Sequence, residues 1–143
     1  MVGCNDRRRR QSGYTLVELL VVLAILGLLV AIAAPQLIKY LGSAKSDTAK
    51  IQVEKLGGVL DLYRLELGRY PTTDEGLVSL IERPAQADIW SGPYLKNPDS
   101  LTDPWGRPYI YRSPGLHGDF DLFTLGADGG EGGDGEDKDI GNW

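Results

Sequence analysis

A chain of 143 residues has room for one small globular core beside an apolar segment, which excludes a two-core protein. Its formal charge of -5 is unevenly spread: residues 1–13 hold four arginines against Asp6, so residues 14–143 carry -8, which argues against a nucleic-acid partner. The one cysteine, Cys4, lies in that basic opening. No disulfide can therefore staple the remainder, and Cys4 lacks the preceding apolar run that a lipidation site needs.

Arg7 to Arg10 lead through Gln11, Ser12, Gly13, Tyr14, Thr15, Leu16, Val17 and Glu18 into an apolar block, Leu19 to Ala34. This is the charge and hydropathy order of an export signal, with the basic end on the cytoplasmic side. An ordinary secretory signal is cut after its apolar region and lost. Here the small residue, Gly13, comes first. At ~1.5 Å per residue, a helix over residues 14–38 matches the thickness of a bilayer core. Gly27 and Pro35 are its weak points, Pro35 either as a kink or as a place where the helix loosens when subunits pack. Glu18 is costly inside an apolar helix and calls for a partner. Cleavage after Gly13 would supply one, the new amine of Tyr14, in the same subunit or a neighbour. The alternative is that Glu18 sits solvated at the headgroups.

Beyond the block the chain turns amphipathic. Val53, Leu56, Leu60, Tyr63 and Leu67 line one helical face, while Lys50, Glu54, Lys55, Asp61 and Arg64 fill much of the rest. Gly57 and Gly58 form a soft spot, and Gly68 supplies a stop. Thr72 and Glu75 have capping-box spacing, so a short helix to about Glu82 is expected, ended by Pro84. Closely spaced prolines exclude a long regular element over Ala85 to Pro108. Tyr109 to Tyr111 and Phe120 to Leu125 read as strands joined by a glycine-containing turn. The expected fold is α+β, one long helix packed on a small antiparallel sheet. His117 has no cysteine or second histidine to complete a metal or nucleophile set and reads as a polar loop residue.

Gly126 to Trp143 packs carboxylates among glycines. Hard cations such as calcium need several oxygen ligands, which a bendable glycine-rich loop can offer from carboxylates and carbonyls. Composition alone favours a solvated acidic terminus. Ile140 and Trp143, apolar anchors at the far end, oppose that.

Two resemblances sharpen this reading. Gly13-Tyr14-Thr15-Leu16-Val17-Glu18-Leu19 resembles the cleavage motif of type IV prepilins. That resemblance implies a pilin-like fold and removal of leader 1–13 by a prepilin peptidase that also N-methylates the new terminus. It further implies a retained stem, residues 14–38, and a Glu18 that aligns neighbouring subunits. Tyr14 departs mildly from the family's usual phenylalanine. Arg69-Tyr70-Pro71-Thr72-Thr73-Asp74-Glu75-Gly76-Leu77 and Asp103-Pro104-Trp105-Gly106-Arg107-Pro108-Tyr109 are similar to segments of the major pseudopilins of type II secretion systems.

The second resemblance implies a structural calcium held by the Leu125 carbonyl, Asp128 and later aspartates, of which Asp137 and Asp139 are favoured over Asp134. It implies a homopolymer, a short pseudopilus assembled with minor pseudopilins on an inner-membrane platform driven by a cytoplasmic ATPase. Residues 39–143 would then lie in the periplasm of a Gram-negative bacterium, supporting export of folded proteins. The chain has no nucleotide motif or nucleophile and base pair of its own, so no catalytic role is expected. The alternatives are a pilin or minor pilin for adhesion or DNA uptake, and a membrane-tethered periplasmic binding domain.

Overall fold

The computed structural model describes residues 13–143, so the readings on Cys4 and on Arg7 to Arg10 lie outside the described residues. Two compact units are distinguished, one ending at Ile38 and one spanning Lys39–Trp143. Helix α1, Leu16–Leu67, is 52 residues long and runs without interruption through Gly27, Pro35 and the Gly57-Gly58 pair. Its opening segment has a mean hydropathy of 3.0 with no residue buried, long and apolar enough to cross a membrane.

In the second unit α1 buries one stripe. Ala49, Val53, Leu56, Leu60 and Tyr63 are inaccessible to solvent, and Leu67 is half-buried. The last four of the buried five pack with Leu77, Leu80, Tyr109, Tyr111, Phe120 and Leu122 into one apolar cluster. The helix stops where expected. Gly68 takes φ 76°, a conformation costly for any residue with a Cβ, and its N–H reaches the Arg64 carbonyl at 2.8 Å.

The capping box forms, but the segment after it is not the expected helix. Thr72 N–H donates to Glu75 Oε2 at 2.8 Å and Glu75 N–H to Thr72 Oγ1 at 3.2 Å. Gly76 then turns to φ 58°, which ends that turn, and only a 3-10 helix, Leu77–Leu80, comes next. A second 3-10 helix, Pro98–Leu101, is the one helical turn in the proline-rich stretch.

Three strands form an antiparallel sheet in the order β1-β2-β3: β1 Ile110–Arg112, β2 Asp121–Thr124 and β3 Ile140–Gly141. Tyr111 lies opposite Leu122, and Thr124 opposite Ile140. All four residues of β2 are buried, because it is the central strand. β3 was not expected. Two residues, one a glycine, carry no readable alternation.

Candidate functional site

The residues marked for processing and assembly sit at the start of α1. Gly13, Tyr14 and Thr15 are non-helical and exposed, so the Gly13–Tyr14 bond is accessible and lies just ahead of the first turn. Thr15 Oγ1 accepts the Glu18 N–H at 3.2 Å, and the Thr15 carbonyl accepts from Leu19 at 3.2 Å. Thr15 is therefore the N-cap and Glu18 the third helical residue, where a carboxylate favours the helix dipole. Sequence reading missed this cap, although the T-x-x-E spacing signals it. Among the described residues the Glu18 carboxylate has no ion-pair partner. Pro35 lies within α1, exposed, in the same apolar segment.

The acidic C-terminal loop is closed on itself. Ala127 N–H donates to the Glu136 carbonyl at 2.8 Å, and Asp139 N–H to the Gly132 carbonyl at 3.2 Å. Close approach requires glycine at Gly126 and Gly133, since a Cβ there would sit 2.6 and 2.5 Å from Asp137 backbone atoms. Asp128 Oδ1 accepts from Gly130 N–H at 3.0 Å, and Asp139 Oδ2 from Gly132 N–H at 2.9 Å. Asp139 Oδ1 is buried without a hydrogen-bond partner. Asp128 is exposed, whereas Leu125, Asp137 and Asp139 are half-buried. Among the described residues no three His, Cys, Asp or Glu side chains gather at one centre. The one feature that fits an oxygen-preferring cation is the unpartnered Asp139 Oδ1, a hard oxygen donor; the other aspartates are not gathered around it.

Two buried carboxylates that sequence reading did not single out order the turns beside this loop. Asp103, buried, accepts from the N–H groups of Trp105 at 3.0 Å and Arg107 at 2.8 Å, and from the Thr124 hydroxyl. The turn so formed carries the Arg107 guanidinium onto the Gly126 carbonyl, at the mouth of the acidic loop. Asp121, also buried, accepts from Leu116 N–H at 2.8 Å and His117 N–H at 3.1 Å. Burial alone would raise its pKa. The hydrogen bonds from Leu116 and His117 outweigh that and hold the carboxyl below its usual range.

His117 is thus more than a polar loop residue. Its ring stacks on Trp143 at 4.1 Å, and its Nδ1 lies 3.2 Å from Asp121. Asn142 completes the closure, its Oδ1 accepting from Leu122 N–H at 2.8 Å and its Nδ2 donating to the Phe120 carbonyl at 3.1 Å. Ile140 is half-buried and Trp143 remains largely exposed, so Asn142 is the anchor that the apolar pattern could not reveal.

Comparison with known proteins places this architecture. Residues 36–143 match the family model described as type II secretion system (T2SS), protein G. The chain belongs to that family. Residues 8–34 match the prokaryotic N-terminal methylation motif. The chain is 45% identical to type II secretion system core protein G of Pseudomonas aeruginosa, covering 96% of this chain and 98% of the relative. It is 43% identical to core protein G of Vibrio cholerae, covering 96% and 94%. Among solved structures, the major pseudopilin of the type 2 secretion system of enterohaemorrhagic Escherichia coli matches with a TM-score of 0.55 and 34% identity. That match covers 70% of this chain and 87% of the other. Membership of the protein G family accords with the two quoted segments, Arg69 to Leu77 and Asp103 to Tyr109, and with the long helix on a small sheet.

Proposed function

We propose that this chain is the polymerising subunit of a type II secretion pseudopilus, cut after Gly13 by a prepilin peptidase that then N-methylates Tyr14. Residues 14–38 anchor it in the inner membrane before assembly, and residues 39–143 occupy the periplasm. Minor pseudopilins and an inner-membrane platform with a cytoplasmic ATPase complete the machine, and this subunit's work is structural. One observation carries the reading. The segment from Leu19 to Ala34 is apolar around its whole circumference and wholly exposed, with a lone carboxylate, Glu18, just ahead of it in the first turn of α1. Such a surface needs lipid or other copies of itself to cover it.

The test is mass spectrometry of the membrane-extracted protein together with imaging of fibres. A methylated Tyr14 terminus, with fibres formed by wild type and lost in Glu18→Ala, is the expected outcome. A first residue beyond Ala34 would leave no stem and end the proposal.

Calcium belongs to the same reading. The Leu125 carbonyl, Asp128, Asp137 and Asp139 would hold it, and the free Asp139 oxygen and the glycine-built closure of the loop support this. Bound only by the folded head, the ion would add stability by mass action where no disulfide can. Melting of the detergent-solubilised chain should rise with calcium and fall with chelator. Superimposable transitions would remove the ion from the account.

A further inference from the structure

Along residues 39–48 of α1 only Gly42 is buried, Ser46 is half-buried and the rest are exposed. A glycine has no side chain to bury, so its cover comes from another part of the head. That cover is the Glu136 side chain. A Cβ built on Gly42 falls onto the Glu136 carboxyl group, whereas one built on Gly27 or Gly58 meets nothing within 4 Å, and one on Gly57 meets only the Phe120 ring at 3.9 Å. Gly42 is thus the α1 glycine whose missing side chain a different element fills.

This contact lies well away from the apolar core. At ~1.5 Å per residue, the next buried residue of α1, Ala49, is about 10 Å further along the axis, and Val53, the first in the core cluster, about 16 Å. From there on the head has a firm hold, since the Tyr109 hydroxyl donates to Gln52 Oε1 at 2.6 Å. Glu136 also closes the acidic loop through its backbone, its carbonyl accepting the Ala127 N–H at 2.8 Å. One residue therefore joins loop closure to the start of the head-bearing half of α1. Lys39 and Lys45 stand three residues to either side of Gly42, and among the described residues neither forms an ion pair. Residues three apart on a helix are surface neighbours, so a carboxylate seated at Gly42 lies between two positive charges.

We propose that Glu136 and Gly42 form a clasp by which the closed acidic loop fixes residues 39–48 of α1 to the head. Without it the head grips α1 only from Ala49 onward, leaving residues 39–48 as bare helix after Ile38, where the apolar unit ends. With it the held stretch begins at Gly42. The two are positioning residues, and what they set is how stiffly the head is carried. Mid-helix glycine weakens a helix, and close approach of the Glu136 carboxyl is what that weakness permits here.

The experiment uses the full chain in detergent, in a Cys4→Ser background that leaves no other cysteine. Nitroxide labels on Ser43→Cys and Val78→Cys, both exposed, report the spread of distances between α1 and the head, and hydrogen exchange at Ala127 reports loop closure. Gly42→Ala should displace Glu136, broaden the distance distribution and quicken Ala127 exchange by about tenfold or more through local opening. Glu136→Ala should broaden the distribution while Ala127 exchanges as in wild type, because the backbone hydrogen bond survives. In the double variant Gly42→Ala with Glu136→Ala, the added methyl has room, so Ala127 exchange should return to the wild-type rate and the distribution stay broad. Gly58→Ala, which enters open space, should change neither readout. Ala127 exchange in Gly42→Ala no faster than in Gly58→Ala, no recovery in the double variant, or an unbroadened distribution in Glu136→Ala overturns the clasp. If Gly42→Ala melts early, the Glu136→Ala distribution decides. Neither readout needs a fibre, so the clasp stands or falls apart from the polymer reading.

Discussion

Glu75 joins two segments of the head, and removing its charge should cost stability that depends on pH. Its carboxylate accepts from both Arg69 Nη1 and Nη2, at 2.6 and 2.8 Å, as well as from Thr72 N–H at 2.8 Å. Arg69 above all, opposed by partial burial, holds the Glu75 pKa down from 4.5 to about 2. A full shift of this size corresponds to roughly 3 kcal/mol at ~1.4 kcal/mol per unit. Arg69 is 39% exposed while Glu75 is 15% exposed, so solvent screening reduces this to about 1–2 kcal/mol. Because the folded-state pKa is depressed, the contribution is present above the unfolded value near 4.5 and is lost as pH falls through about 2. Glu75→Gln should therefore lower the head's melting temperature at neutral pH by roughly 4–8 °C per kcal/mol lost. The gap between variant and wild type should close near pH 2. Thermal unfolding of both proteins across that range is the assay. A gap of equal size at both ends, or none at neutral pH, would refute the electrostatic account.

Other substitutions read out other parts of the head. Leu60→Ala removes a side chain that is fully buried in the core and should cost about 2–5 kcal/mol in urea unfolding, with no change in processing at Gly13. Asp103→Ala strands two backbone N–H groups and the Thr124 hydroxyl and should cost about 3 kcal/mol. Hydrogen exchange should then quicken at Ala127, in the loop that Arg107 holds, and unchanged exchange there would dissociate the two. Gly58→Ala enters open space in mid-helix and should stabilise the detergent-solubilised chain by roughly 0.5–1 kcal/mol.

The sequence by itself determined much of what rests on local order along the chain, although the Thr15 cap and the extent of the helix after Thr72 escaped it. A run of arginines, a glycine, a glutamate and an unbroken apolar block carry the match to the N-terminal methylation motif over residues 8–34, because charge and hydropathy act residue by residue. The buried stripe of α1 was legible from its 3-4 spacing, the Gly68 stop from glycine's freedom at positive φ, and the box at Thr72 and Glu75 from reciprocal caps three residues apart. The two strand runs were visible to within a residue or two.

Tertiary structure decided what depends on partners distant in the chain. β3 exists because β2, buried on both sides, offers Thr124 and Phe123 a hydrogen-bonding neighbour, and two residues have no pattern of their own. Asp103 and Asn142 looked like ordinary polar residues of loops, and Asp121 like one more position of an expected strand. Only folding brings them to the backbone amides and carbonyls that would otherwise be buried unpaired, and that requirement, not any periodicity, fixes them. The expected helix after Thr72 gave way to a 3-10 turn for a related reason. Gly76 reverses the chain there, so that Leu77 and Leu80 reach the core against α1.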